Sequence, residues 1–231
     1  MRASRGACCP DRVTPGEVHA WLIDLDSPPD DAGTALGPAE VARAASYVSP
    51  RDGARYAASR AWLRALLGHY LDADPGSLLF ERSASGRPAL AGEHDGLLHF
   101  SLSRTASRCL AAVSCSPVGA DIELVRDRTG LADLVITRFG ACEARCIAGG
   151  CAGSPLRGFY RHWTAKEAHL KATGRGLAGL AGTQLNCGER PAIRADGQAT
   201  NWTVSFLDAV AGCAATIVGR GPVTRCDAGN Q

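Results

Sequence analysis

The residues best placed to do chemistry stand in one stretch, residues 159–177. Read as a helix that ends at Gly174, this stretch places Trp163, Glu167 and Lys171 on one face, because residues four apart lie one turn from each other. A glycine commonly ends a helix in this way. Glu167 and Lys171 taken alone are an ordinary surface ion pair. Trp163 is expected to pack and to orient the helix.

A second stretch, VGADIEL at residues 118–124, is predicted to be a strand. Its two carboxylates, Asp121 and Glu123, are two residues apart and therefore point to the same side. Adjacent carboxylates repel each other unless a proton or a cation lies between them, and a hard divalent ion with oxygen ligands is the usual solution. With Glu167 from the helix, the pattern predicts a three-carboxylate Mg²⁺ site, and Lys171 stands one turn away to meet a phosphate on that metal.

Together, the two stretches resemble the signature motifs of the 4′-phosphopantetheinyl transferases. The first reads G-A-D-I-E at residues 119–123, and the second reads W-T-A-K-E-A-x-x-K at residues 163–171. The arrangement is similar to the larger, surfactin-synthetase-activating type. That resemblance implies an α+β fold with two similar α/β halves, related by a pseudo-twofold axis, and an active site in the cleft between them. Residues 1–117 would form the half that binds the coenzyme A nucleotide, and residues 118–231 the half with the metal site and the catalytic helix.

The resemblance also implies a reaction. The 4′-phosphopantetheine arm of coenzyme A would pass to a serine of an apo acyl or peptidyl carrier protein, with release of adenosine 3′,5′-bisphosphate. Mg²⁺ held by Asp121, Glu123 and Glu167 would neutralise the diphosphate and orient the attack. Lys171 would stabilise charge on the departing phosphate. Glu167 would take the serine proton, directly or through a metal-bound water, and its roles as ligand and as base both stay open.

Five further residues match coenzyme A contacts of the resembled family. Arg55, in a long predicted helix, corresponds to a basic residue that binds the 3′-phosphate. Arg87 and Pro88 correspond to a G-K-P element, with arginine in place of lysine. Ser103 and Arg104 fall in a motif whose usual histidine contacts the 3′-phosphate. Arginine departs from that pattern but keeps its charge at every working pH and pairs well with phosphate.

Two lysines of the central helix complete the predicted coenzyme A contacts, Lys166 and Lys171. By helical geometry Lys166 points away from the carboxylate face. A surface charge and a supporting role near the nucleotide are both open for Lys166.

Composition excludes several classes of protein. The chain has 231 residues, with 45% hydrophobic and 21% charged residues, which is ordinary for a globular protein. A net charge of +2 is too small for non-specific nucleic-acid binding. No apolar run is long enough to cross a membrane, and the basic N-terminus has no apolar core of a secretory signal. A cytoplasmic protein is expected, and a monomer, because one chain carries both halves.

Ten cysteines are many for such a protein, but without a secretory signal a disulfide framework is not expected. Cys142, Cys146 and Cys151 lie close in sequence, and His162 follows. The spacing contains no C-x-x-C pair. Small buried or loop thiols are the expected interpretation, and a zinc site is the alternative.

Hydrophobic periodicity and turn residues predict the remaining elements. Strands are predicted at residues 18–25, 78–82, 97–102, 109–114, 118–124, 202–207 and 213–218. Helices are predicted at residues 38–47, 51–70, 131–147 and 159–173. Residues 220–231 are expected to form a mobile tail.

Two other functions are consistent with the same residues. A Mg²⁺-dependent phosphodiesterase would use the three carboxylates with water as the nucleophile. Arg55, Arg87 and Arg104 argue against it, because they suit a substrate with a second phosphate far from the metal. A non-catalytic protein that binds coenzyme A or a carrier would not need the full set of carboxylates.

Overall fold

The computed structural model describes residues 12–29, 35–83, 86–186, 188, 190–208 and 210–227. These residues form five helices, α1 (Pro38–Ala45), α2 (Pro50–Leu71), α3 (Leu131–Arg138), α4 (Ala141–Ala148) and α5 (Pro155–Thr173). The strands are β1 (Val18–Asp24), β2 (Phe80–Arg82), β3 (Pro88–Leu90), β4 (His99–Thr105), β5 (Arg108–Ser114), β6 (Gly119–Leu124), β7 (Thr183–Asn186), β8 (Ala192–Ala195), β9 (Gln198–Ala199), β10 (Thr203–Phe206), β11 (Cys213–Gly219) and β12 (Val223–Asp227). The predicted α+β class is confirmed.

The two main sheets are each covered by one long helix. The first sheet has the order β12-β1-β5-β4, and the second has the order β10-β11-β6. Helix α2 packs on the first sheet through Leu63 and Leu67, which join a buried cluster with Phe100. Helix α5 packs on the second sheet through a row of small residues, Ala165, Ala168 and Ala172, which contacts Val218. A hairpin, β2-β3, and a small sheet, β7-β8-β9, lie beside them.

Side-chain hydroxyls join the two main sheets where β4 of the first lies beside β6 of the second. The Ala120 amide donates to Ser101 Oγ at 3.0 Å, and the Leu124 amide donates to Thr105 Oγ1 at 3.1 Å. The hydroxyls therefore accept hydrogen bonds from β6 amides at the edge where β6 does not pair with β4 through backbone hydrogen bonds. This seam places the C-terminal end of β4 next to the carboxylates of β6.

The C-terminal strand returns to the N-terminal sheet. β12 pairs in parallel with β1, with Val223 opposite Val18, and Cys226 is buried beside Trp21 and Ile23. The predicted mobile tail is therefore wrong for residues 223–227, and residues 228–231 lie outside the described part of the chain. The segment is only five residues long, V-T-R-C-D, and its partner is some two hundred residues away, so it carries no local strand signal.

The predicted single helix over residues 131–147 is two helices. The chain is extended at Phe139, with φ −124° and ψ 149°, and Gly140 begins α4. At the break the Phe139 ring points inward and packs with Ile147, Phe159 and Tyr160. Burial of this ring offsets the loss of helical hydrogen bonds at the junction.

Because His169 lies on the buried side of α5, we expect the protein to lose stability in acid. His169 is 1% exposed, and neither ring nitrogen has a hydrogen-bond partner among the described residues. Burial, and secondarily the charge of Arg175, lowers the pKa of His169 from 6.5 to about 4. Between those two values the unfolded chain binds a proton that the folded chain excludes, so stability falls as the pH drops through this window, by at most about 3 kcal/mol.

Urea unfolding at a series of pH values from 7.5 to about 4 measures this effect, together with any contribution of other buried histidines. The variant His169→Leu should show a shallower fall than the unmodified protein. His69→Leu, at an exposed position of α2, should leave the slope unchanged. Equal slopes for all three proteins would contradict a neutral, buried His169.

Candidate active site

Asp121 is at the centre of the predicted carboxylate site. It lies on β6 and is 4% exposed. Its Oδ1 accepts hydrogen bonds from Ser103 Oγ and from Lys171 Nζ, both at 2.7 Å. Its other oxygen, Oδ2, is buried and has no partner among the described residues. A buried carboxylate oxygen is costly without a partner, so this oxygen is suited to a ligand that brings positive charge.

A close approach between strand β6 and helix α5 brings the two motifs together. A Cβ atom at Gly119 would lie 1.8 Å from the Ala168 carbonyl oxygen, so only glycine fits where the strand crosses the helix. Lys171 reaches across this contact, and its Nζ also donates to the Ala120 carbonyl at 3.1 Å. The glycine that opens G-A-D-I-E thus sets the distance between Asp121 and the helical residues.

The three predicted metal ligands influence one another electrostatically. Glu123 and Glu167 are half-buried. Burial, followed by the charge of Asp121, raises the pKa of Glu123 and also that of Glu167, while Lys171 acts in the opposite direction on both. The single positive charge of Lys171 balances the negative charge of only one of the three carboxylates. An all-oxygen donor set with excess negative charge and an unpartnered buried oxygen fits a hard divalent cation such as Mg²⁺.

Helix α5 ends where its sequence predicts, at Gly174, but begins earlier than predicted. Ser154 caps the first turn by accepting from the Arg157 amide, and Gly174 ends the helix with φ 70°. Trp163 stacks on Phe159, with ring centroids 6.0 Å apart. The observed start at Pro155 is four residues before the predicted one. The expected packing role of Trp163 is confirmed.

Ser103 contributes to the site in a way that the sequence did not reveal. The resemblance assigns it to coenzyme A, but its hydroxyl donates to Asp121 Oδ1 and is 8% exposed. Together with Lys171, this hydrogen bond fixes the Asp121 rotamer and leaves Oδ2 as the outstanding acceptor. A contact of Ser103 with coenzyme A stays a prediction.

Arg55 and Arg104, the two predicted 3′-phosphate contacts, lie in one cleft of about 190 Å³. The Arg104 guanidinium is 5.2 Å from the centroid of the Tyr56 ring, and its Nη2 is 3.4 Å from the Tyr47 hydroxyl. Residues from α2 and from the end of β4 therefore meet here, and an anion in the cleft would contact two arginines and a tyrosine hydroxyl.

Arg55, which lines this cleft together with Asp52, already has a carboxylate partner, Asp26. It makes two hydrogen bonds to Asp26, each at 2.8 Å, and these bonds are the main cause that lowers the pKa of Asp26 to about 2. Arg51 donates to the same carboxylate at 3.2 Å. A phosphate that binds Arg55 through the same Nε and Nη2 donors would have to replace Asp26.

Arg87 links strand β4 to helix α5. Its guanidinium is half-buried and donates to the carbonyls of Ala172 and Val118, each at 3.2 Å, and of Phe100 at 3.4 Å. Burial lowers the pKa of Arg87. Pro88 is exposed and opens β3. The predicted contact of both residues with coenzyme A stays a prediction, but the observed bonds give Arg87 a structural role.

Replacing Arg87 with alanine is expected to destabilise the protein by about 2–3 kcal/mol, because three buried carbonyls lose a charged donor. Urea unfolding measures this change, and steady-state kinetics give the KM for coenzyme A in the same preparation. Arg82→Ala, at an exposed site where the guanidinium donates to the Gly86 carbonyl, is the control. A raised KM with unchanged stability would show that Arg87 serves the nucleotide instead.

Lys166 is neither a surface charge nor free to move. Its Nζ is 2.9 Å from Glu143 Oε2 and 3.0 Å from the Arg138 carbonyl, and it lies 4.6 Å from the centroid of the Phe139 ring. The side chains of Lys166 and Glu143 are 1% and 2% exposed. The surface-charge alternative is wrong, and the suggested role of Lys166 near the nucleotide finds no support in this arrangement.

Glu143 is an important residue that the sequence did not indicate. Its Oε2 accepts from the Gly140 amide and its Oε1 accepts from the Leu185 amide, each at 2.9 Å, in addition to the ion pair with Lys166. It thereby connects α4, α5 and β7. The only local signal is its third position in a helix that follows a glycine, where an acidic residue often caps the first turn.

Comparison with known proteins identifies the family to which this chain belongs. The 4′-phosphopantetheinyl transferase superfamily matches residues 117–218, which include Asp121, Glu123, Glu167 and Lys171. The 4′-phosphopantetheinyl transferase HetI of Nostoc sp. is 36% identical over 170 residues, which are 71% of this chain and 71% of HetI. This chain belongs to the 4′-phosphopantetheinyl transferase superfamily.

Other members of the superfamily are more distant. A phosphopantetheinyl transferase of Thraustochytrium sp. is 29% identical over 187 residues, which cover 71% of this chain and 63% of that protein. The 4′-phosphopantetheinyl transferase gsp of Aneurinibacillus migulanus is 28% identical over 133 residues, which cover 57% and 53%. The predicted enzyme class is confirmed. In the described part of the chain, no helix has the length and apolar character that a membrane span requires.

Proposed function

We propose that this superfamily member transfers the 4′-phosphopantetheine arm of coenzyme A to a serine of an apo acyl or peptidyl carrier protein, in a Mg²⁺-dependent reaction. The observation that carries the proposal is the unpartnered, buried Oδ2 of Asp121, electrostatically coupled to Glu123 and Glu167. These carboxylates would hold Mg²⁺, which when bound neutralises the negative charge of the diphosphate. The products are the phosphopantetheinylated carrier and adenosine 3′,5′-bisphosphate.

The bonds that form and break define what the protein must supply. The serine oxygen bonds to the phosphorus on the pantetheine side of the diphosphate, and the bond from that phosphorus to the bridging oxygen breaks. The serine proton needs an acceptor. Glu167 is the candidate acceptor, directly or through a metal-bound water, because it lies on the helix face next to Asp121.

Lys171 provides the positive charge on the helix side of the site. Its ammonium is held by Asp121 Oδ1 and the Ala120 carbonyl, so its position is fixed before substrate binds. A fixed donor next to the diphosphate stabilises charge on the leaving phosphate without reorganisation. The predicted role of Lys171 in catalysis therefore rests on preorganisation rather than on a freely moving side chain.

The nucleotide end of coenzyme A would bind in the cleft of Arg55 and Arg104, where its 3′-phosphate replaces the Asp26 carboxylate. The cleft is lined by Tyr47, Thr105 and the two arginines, among others. Thr105 belongs to the β4–β6 seam, since it accepts from the Leu124 amide. The cleft therefore borders the strand of the carboxylates, as a substrate that connects both sites requires.

We assign the protein to the larger, surfactin-synthetase-activating type and expect it to act as a monomer. Supporting this, a sheet with a covering helix occurs in each half of one chain, and hydroxyls of β4 join the two sheets. One chain thus supplies both Arg104 and Asp121. Size-exclusion chromatography with light scattering tests the oligomeric state.

Intact-protein mass spectrometry of an apo carrier protein tests the reaction. The carrier is incubated with this protein, coenzyme A and Mg²⁺, with and without a chelator. A mass gain of one phosphopantetheine arm that the chelator abolishes is the expected result. Hydrolysis of coenzyme A without a mass gain of the carrier would instead establish a phosphodiesterase. Binding of coenzyme A with neither a mass gain of the carrier nor hydrolysis would establish a non-catalytic protein.

A further inference from the structure

Two thiols and an imidazole meet on the side of α5 away from the carboxylates. Ligand atoms of Cys146, Cys151 and His162 all lie within 4.8 Å of one another. His162 shares a helix face with Lys166, four residues on, and not with Glu167. Cys146 is in the last turn of α4, and Cys151 is in the loop between α4 and α5. The cluster therefore gathers three consecutive segments at one point.

The backbone of the loop builds this cluster. The Cys151 amide donates to the Cys146 carbonyl at 3.2 Å. The following reversal uses Gly150 and Gly153, whose φ values of 70° and 88° favour glycine. The loop then lies against α5 at Gly158, where an added Cβ would be 3.4 Å from Cys151 Sγ. The two thiols are thus held near the helix by hydrogen bonding and packing.

His162 is oriented as a metal-binding histidine commonly is. It is 0% exposed, and its Nδ1 is 2.8 Å from the Gly158 carbonyl oxygen. Because a carbonyl only accepts, Nδ1 carries the hydrogen and Nε2 keeps its lone pair. Burial lowers the pKa of His162, so the imidazole is neutral at physiological pH, which is the form that binds metals.

The two cysteines are suitable partners for that imidazole. They are not joined in a disulfide, Cys146 is half-buried and Cys151 is exposed, so an ion has a path from solvent. The charged groups near His162 are Glu143, Lys166 and Arg161. Glu143 and Lys166 compensate each other. The two negative charges of the thiolates balance the charge of a divalent ion. This lowers the free-energy cost of burying that ion beside the helix.

We propose that Cys146, Cys151 and His162 bind one Zn²⁺ ion, with water as a fourth ligand, and that this ion fixes the α4–α5 loop to α5. Zn–S and Zn–N distances of about 2.3 and 2.0 Å place tetrahedral ligand atoms about 3.6–3.8 Å apart, so a contraction of about 1 Å suffices. Thiolate and imidazole select zinc, whereas the Asp121 site offers only oxygen. The site is independent of the proposed transferase reaction.

Metal titration of the reduced 231-residue protein tests the proposal. After removal of metal, Zn²⁺ is added in competition with a chromophoric indicator, and Co²⁺ is added separately to record its visible spectrum. One equivalent of Zn²⁺ should bind, and Co²⁺ should give tetrahedral bands with thiolate charge transfer. Cys151→Ser should weaken binding at least about 100-fold, since loss of even an outer partner of a metal ligand costs about 10–100-fold.

Cys142→Ser is the matched control, because Cys142 is exposed one turn before Cys146 on the same helix and lies outside the cluster. It should bind Zn²⁺ like the unmodified protein. A second measurement needs no variant at all. Peptide mapping after alkylation should show that Zn²⁺ protects Cys146 and Cys151 and leaves Cys142 reactive.

Three results would overturn the proposal. The first is the absence of stoichiometric Zn²⁺ binding by the reduced protein. The second is equal binding by the unmodified protein and Cys151→Ser, or loss of binding only in Asp121→Asn. The third is a Cys146–Cys151 disulfide that forms in air at the same rate with and without Zn²⁺.

Discussion

Replacing Asp121 with asparagine is expected to lower kcat/KM for phosphopantetheinyl transfer by about 10²–10³-fold. The carboxamide oxygen can still accept from Ser103 and Lys171, as Oδ1 does at 2.7 Å in both cases. The amide nitrogen, however, replaces the unpartnered Oδ2, and an N–H donor cannot bind a cation. The variant thus removes the negative charge and a metal-facing lone pair while it keeps the local hydrogen bonds.

The rate is measured by mass spectrometry of the carrier at several Mg²⁺ concentrations. The matched control is Asp127→Asn, which neutralises an exposed carboxylate shortly after β6 and should leave the rate unchanged. Urea unfolding of all three proteins shows whether lost activity reflects lost folding. A rate for Asp121→Asn within a factor of about three of the unmodified protein would remove Asp121 from the catalytic site.

The variant Glu143→Ala should cost about 3–5 kcal/mol of stability, the usual penalty for leaving one partner of a buried ion pair uncompensated. Lys166, whose side chain is 1% exposed, would lose the carboxylate that stabilises its ammonium, and burial already lowers its pKa. The amides of Gly140 and Leu185 would also lose their acceptor. For a chain of this length the thermal midpoint should fall by about 6–20 °C. Circular dichroism during heating measures the change.

A double variant separates charge from packing at this pair. Glu143→Leu combined with Lys166→Met removes both charges, and it should recover most of the stability that Glu143→Ala loses. Glu93→Ala, at an exposed position, should change stability by less than about 0.5 kcal/mol. If the double variant were as unstable as the single one, the backbone contacts of Glu143 would matter more than its charge.

The carboxylate site was predictable because its determinants are local. The i, i+4 spacing of Glu167 and Lys171 and the glycine at position 174 define one face and one end of a helix. The D-x-E alternation places Asp121 and Glu123 on one side of a strand. The hydrogen bond between Lys171 and Asp121 then confirms that these two stretches meet.

The features that the sequence did not reveal depend on contacts between distant segments. Glu143 and Lys166 become a buried pair only because the chain breaks at Phe139 and folds α4 against α5. The sequence pattern around Arg87 predicts a turn. In the structure, its guanidinium lies among the carbonyls of Phe100, Val118 and Ala172. The small sheet β7-β8-β9 was not predicted, because its strands are two to four residues long.

The parallel pairing of β12 with β1 has a consequence for synthesis on the ribosome. β1 is made early, but its neighbour on one side, residues 223–227, is the last described strand to be made. Until then the outer edge of β1 exposes unpaired backbone groups, which are a template for another chain. Folding of the N-terminal sheet is therefore completed only after residues 223–227 have been made. Nascent chains that stop before residue 223 are expected to associate through this open edge.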